Sequence, residues 1–216
     1  MLSEKYRKSG EINATYDYYD VAAGTGIINF YAGAAPTKYS AGIALASSAI
    51  ISNNKFYSQP IFEKKALADT GAGAAQKAFD IDFDVLVNKP LTLKGTCIVN
   101  VPIRLYGTGT TSGSIVAKWR KWDGVTETDI ASGTSFIYTA TTATYFMTSE
   151  YINVPTTLIK RGEYLRLTIE GWYQTTPSRT EGFWIAHDPM GQVNAEWTST
   201  TIPSILTAQL PIKINI

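Results

Sequence analysis

"FDIDFDVLV", residues 79–87, alternates apolar and acidic side chains almost without a break. Successive side chains of a strand point to opposite faces. Phe79, Ile81, Phe83, Val85 and Val87 therefore share one face, and Asp80, Asp82 and Asp84 share the other. A helix would scatter the same residues around its circumference, so the stretch predicts a half-buried strand.

The rest of the chain has the same period. "EYLRLTIEGWY" (163–173) sets Leu165, Leu167 and Ile169 against Arg166, Thr168 and Glu170. "ILTAQLPIKINI" (205–216) aligns Leu206, Ala208, Leu210, Ile212, Ile214 and Ile216, with Pro211 on the outer face. Proline has no amide hydrogen to donate, so Pro211 predicts an edge or bulged strand. Pro102 marks a second such position in "TLKGTCIVNVPIRLYG" (92–107). "GTSFIYTA" (133–140) and "ATYFMTSEYINV" (143–154) read as further strands. Turn-rich spacers such as "GTGTTSGS" (107–114) and "TTPSRTEG" (175–182) separate the runs. Only "IFEKKALAD" (61–69) predicts a short helix. The expectation is an all-β fold: an antiparallel β-sandwich, jelly-roll-like, with at most one short helix.

One hairpin can be placed in detail. Asp123-Gly124 lies between two β-rich runs in "IVAKWRKWDGVTETDIAS" (115–132), a strong hairpin signal. A two-residue loop would set Trp122 opposite Val125, Arg120 opposite Glu127 and Lys118 opposite Asp129, pairing the charges on one face.

Composition narrows the function. In 216 residues, 19 Lys and Arg face 18 Asp and Glu, which lacks the basic excess that phosphate contacts need and argues against a nucleic-acid partner. Charged residues are only 17% of the chain, so much of the surface is neutral and polar, as suits a component of an assembly. The single Cys97 excludes an intramolecular disulfide and reads as a small buried strand residue. "MLSEKYRKSGEIN" has no apolar signal region, and the most apolar window, "AGIALASSAII", is too short to span a bilayer. A soluble protein made without a secretion signal is expected, with no membrane partner. Residues 1–20 read as an extended N-terminal arm that packs either on its own domain or on a neighbouring copy. Residues 21–216 read as a single sandwich domain.

Sites of chemistry are scarce. Asp80, Asp82 and Asp84 match the first three ligand spacings of a calcium loop, but Val85 and Leu91 stand where its glycine and bidentate glutamate belong. Alternate strand side chains lie about 7 Å apart, too far to share one ion well. A solvated or subunit-facing acidic strand is the better reading. The glycines of "AAGTGIINF" and "YGTGTTSG" lack a phosphate-loop spacing, and C-x-x-C, H-E-x-x-H and G-x-S-x-G are all absent. Glu163, Glu170, Glu181 and Glu196 are available for glycoside chemistry, yet nothing pairs them. Five Trp and thirteen Tyr can form a sugar platform, or fill the core and interfaces as such residues commonly do. The only histidine, His187, ends the strand "GFWIAH". Asp188, Pro189 and Gly191 then fit a type I turn in which Asp188 bonds its own backbone. No catalytic, cofactor-binding or metal-binding residue is assigned, and no cofactor is expected.

Taken together and in order, "YDYYDVAAGTGIINFY", "KWRKWDGVTETDIAS", "GEYLRLTIEGW", "AHDP" and "LPIKINI" resemble small β-rich virion structural proteins of tailed phages and related environmental viruses. The resemblance implies a capsid accessory, decoration or head-fibre component without catalysis. Such a protein would be located in the virion after assembly in the host cytoplasm. It would form a homo-oligomer and bind other virion proteins such as a major capsid protein. A carbohydrate- or receptor-binding module of the same particle, with a glycan as ligand, is the alternative.

Overall fold

The computed structural model describes residues 14–15, 25–35, 42–47, 62–67, 75–107, 109–175 and 181–213. Their strands, in chain order, are β1 (Ala14–Thr15), β2 (Thr25–Ala35), β3 (Gly42–Ser47), β4 (Phe62–Leu67), β5 (Gln76–Leu86), β6 (Leu91–Tyr106) and β7 (Thr111–Trp122). They continue with β8 (Glu127–Thr134), β9 (Tyr138–Ala140), β10 (Thr144–Ile159), β11 (Tyr164–Thr175), β12 (Glu181–Ala186) and β13 (Thr207–Lys213). Among the described residues there is no helix.

Two antiparallel sheets pack face to face. One runs β5-β11-β7-β8 and the other β2-β13-β6-β10. Of these eight long strands taken in chain order, the first lies beside the last and the second beside the second-to-last. That wrapping is the jelly roll. On one side of the sandwich β3 bridges the sheets, pairing with β2 along its length and with β5 through Ala44 and Asp84. On the opposite side β8 runs close to β10, but no ladder joins them. Among the described residues the sandwich is hydrogen-bonded shut on one side and open on the other. Short strands complete it: β12 and β4 flank the C-terminal half of β6, β9 continues β8 along β7, and β1 pairs with β2.

The alternation read in residues 79–87 positions the core. Phe79, Ile81 and Phe83 are buried, as are Leu165, Leu167 and Ile169 on the adjacent β11. From the facing sheet Phe30, Val99, Val101 and Leu210 close over them. Trp119 crosses the interior, and its indole Nε1 donates to Cys97 Sγ at 3.0 Å. Phe183 packs against a floor left by two glycines. A Cβ on Gly171 would lie 3.0 Å from Phe183 Cε1, and one on Gly113 would lie 3.5 Å from it.

Three expectations need correction. Residues 62–67 form β4, not a helix, because pairing with β12 fixes them and Phe62 and Leu67 anchor both ends in buried positions. The hairpin loop is wider than two residues, since Trp122 pairs with Glu127 and Asp123 Oδ1 accepts from the amides of Val125 and Thr126. Finally, residues 133–140 are not one strand. β8 ends at Thr134, and β9 begins only at Tyr138.

Of the two positions expected for Pro211, edge or bulge, β13 takes the bulged one, since it lies between β2 and β6. The missing donor is absorbed by a register shift between Gln209 and Ile212, opposite Gly95 (φ 122°). Pro102 falls where β6 changes partners, after β13 (to Asn100) and before β12 (from Ile103). Of the expected arm, Ala14 and Thr15 pair with Ile28 and Ile27 of the same chain. Its other residues lie outside the described ones, as do Ile214 and Ile216.

Candidate functional site

The acidic row of β5 is bound within the molecule. Arg166 on β11 pairs with both oxygens of Asp84 at 2.7 Å, approaches Asp82 at 3.0 Å and reaches Glu127 on β8 at 2.9 Å. Thr168 Oγ1 donates to Asp82 at 2.6 Å, and Lys77 pairs with Asp80 at 2.7 Å. Arg120 on β7 then pairs with Asp129 and Glu127, while Lys118 pairs with Glu170. Acidic rows on β5 and β8 thus enclose Arg166 of β11 and Lys118 and Arg120 of β7, and these cations offset the repulsion within the aspartate row. The row is not solely a solvated or subunit-facing strip. Lys118 takes Glu170 rather than the expected Asp129, because the wider hairpin and the extra Ile130 shift its register. No group of residues suited to holding a metal ion occurs among the described residues.

The other candidate chemistry is dispersed. His187 is buried against the Phe83 ring at 5.7 Å, with Nε2 3.8 Å from Glu63 Oε1. The turn read after it is present: Gly191 N donates to Asp188 O at 3.0 Å. The Asp188 carboxylate accepts from Met190 N and Gln192 N, so both of its oxygens serve the turn. Glu163 accepts from Lys160 N, Glu170 from Lys118, and Glu196 pairs with Lys64. The Glu181 side chain lies outside what is described. Trp184 is flanked by the Phe62 ring, stacked at 5.3 Å, and by the Arg104 guanidinium at 3.8 Å. Arg104 also donates to Glu196 O. Trp122 carries Arg166 on its ring. These aromatic surfaces already have cationic or aromatic partners, which weakens the sugar-platform reading.

What the sequence did not point out lies on the open side of the sandwich. Ser135 ends β8 with an unusual anchor. Its amide donates to Ile115 O, and its hydroxyl accepts from Ile115 N, both at 2.8 Å. The side chain thereby replaces a strand carbonyl, and the chain swings outward. Phe136 and Ile137 project into solvent, 86% and 73% exposed. Both flanks of this knob touch β10: Gly133 lies against Glu150 and Ile152, and the Tyr138 ring packs on Phe146 at 4.9 Å. The knob therefore sits along the seam between the two sheet edges.

Glu150 lies in the floor of that seam. It belongs to the inward row of β10 with Thr148, Ile152 and Val154, and only 6% of it is exposed. Among the described residues it has no hydrogen-bond donor or cation, and burial pushes its carboxyl above the ordinary range. The Tyr138 hydroxyl is pushed up as well, by burial and by the charge of Glu150. A carboxylate in this setting costs stability unless something pairs with it. Its signal in the sequence is slight: it is the only charged residue in the sixteen of β10.

No protein-family model matches the chain, and a comparison with curated proteins finds no relative. Among solved structures, a CocE/NonD family hydrolase from Staphylococcus aureus aligns at a TM-score of 0.42 with 11% identity, over 85% of this chain and 41% of its own. An alpha-amino acid ester hydrolase aligns at 0.40 with 11% identity, over 85% and 36%. A structure of infectious bursal disease virus, Gx strain, aligns at 0.28 with 8% identity, over 71% and 35%. The chain spans about two fifths of the length of the hydrolase.

Proposed function

We propose that this chain is a non-enzymatic structural protein of a virion, a capsid accessory or decoration component that acts by self-association and by binding other virion proteins. The observation that carries the reading is the knob at Phe136 and Ile137. Two adjacent large apolar side chains are held in water by a buried serine anchor, at a side of the sandwich where no ladder joins the described strands β8 and β10. Exposing such a pair offers nothing to the isolated fold, and an apolar anchor ringed by polar surface is the usual core of a protein contact. The self-neutralised charge lattice supports the same reading, because it leaves a broad sheet face without long-range repulsion toward another copy.

Sedimentation velocity over a concentration series tests this. The wild-type chain is expected to associate, and Phe136→Ser with Ile137→Ser to shift it toward monomer without moving its urea midpoint. A wild-type chain that stays monomeric at the highest concentrations overturns the reading.

A further inference from the structure

We propose that Glu150 is the receptor for a basic side chain from the N-terminal segment of a second copy, with Phe136 and Ile137 flanking the apolar stem of the incoming residue. This rests on the self-association reading and names the contact that would produce it.

Three observations converge. First, Glu150 is a nearly buried carboxylate without a cation or donor among the described residues, in a row otherwise filled by Thr148, Ile152 and Val154. A neutral residue there would be less costly to the isolated chain, so an external cation supplies the compensation that the described residues do not. Second, the carboxylate is not sealed off, since neither of its oxygens is among the fully enclosed side-chain atoms without a partner. The seam is bordered by β10 and by β8 with β9, and β10 pairs only with β6 among the described residues. β8 packs on β10 at Gly133, so the incoming segment lies outside the seam and a long side chain reaches in from it. Third, the chain carries a complementary segment. Residues 4–8, "EKYRK", hold Lys5, Arg7 and Lys8 within four positions around Tyr6. In an extended conformation Lys5 and Arg7 share one side, and the long stems of such residues pack on apolar surface while their heads seek charge.

The test is a double-mutant cycle on self-association of the full chain, read by sedimentation. Glu150→Gln keeps the shape and removes the charge. The second arm is the triple change Lys5→Gln, Arg7→Gln and Lys8→Gln. Each is expected to weaken association at least about tenfold, and the combination to be no weaker than either arm alone, as holds for groups acting through one contact. Urea unfolding of Glu150→Gln, expected at or above the wild-type midpoint, separates lost contact from lost fold. Association that persists unchanged in both arms, or arms whose effects add independently, overturns this contact while leaving self-association standing. A wild-type chain that never associates removes both.

Discussion

Arg166 and Asp84, opposite each other on β11 and β5, are joined by two parallel hydrogen bonds, Nε to Oδ1 and Nη2 to Oδ2, each 2.7 Å long. The fork geometry of arginine fits a carboxylate in this way, whereas lysine makes a single point contact. The same guanidinium is the link between the aspartates of β5 and Glu127 of β8.

Replacing this arginine should therefore affect several charges at once. Arg166→Leu is expected to lower stability by about 2 kcal/mol, and Arg166→Lys by roughly half as much. Urea unfolding of the two variants at low salt measures both. An Arg166→Leu midpoint equal to wild type would show that the lattice adds nothing net.

Glu150 predicts a pH dependence of the opposite sign to that of a paired carboxylate. Its folded pKa is raised by burial. Between the ordinary carboxylate value and the raised one, the folded state holds a proton that the unfolded state has lost. The contribution of Glu150 is then most favourable below the ordinary range, and it falls as pH rises through that window. Glu150→Gln is expected to match wild type in acid and exceed it at neutral pH. Urea midpoints taken from about pH 3 to about pH 8 decide it, and a constant gap between the two proteins would refute the assignment.

Gly171 is required by packing. An added Cβ would lie 2.8 Å from Phe79 Cδ2 and 3.0 Å from Phe183 Cε1, both on rings held in the core. Gly171→Ala is expected to cost about 1–3 kcal/mol. Gly182→Ala meets nothing closer than 3.3 Å and should cost less, as a thermal melt of each would show.

Cys97 should be chemically silent. Burial pushes its thiol up to about 12, against the weaker opposing effect of the Trp119 hydrogen bond. At pH 8 the thiolate fraction is then on the order of one in ten thousand. Alkylation is expected to proceed only at the rate of unfolding, and rapid labelling of the native protein would contradict the Cys97–Trp119 contact.

How legible this molecule is from its sequence depends on where the determining interaction lies. The faces of β5 and β11 follow from local alternation, and the Asp188 turn from residues within four positions of each other. The hairpin shows the limit: its location is encoded in Asp123-Gly124, but its register depends on the Asp123 side chain and on a bulge at Ile130. Pro211 announces a missing hydrogen bond without saying that Gly95, far away in the chain, absorbs it. The seam was the least legible. "GTSFIYTA" has strand composition throughout, and only the cross-strand bonds of Ser135 to Ile115 reveal that Phe136 and Ile137 face water. Glu150 is an ordinary residue until β10 turns it inward.

The insertion of β13 between β2 and β6 has a consequence for how the molecule comes into being. The second sheet has a gap in its middle until residues 207–213 arrive, and both strands bordering that gap are made long before them. During synthesis the half-built sheet must wait with two inner edges unpaired, and loop closure over such separations is slow. Completion of the jelly roll is thus deferred until residues 207–213 have been made. The interval before it is when the nascent protein is most open to pairing with the wrong strand.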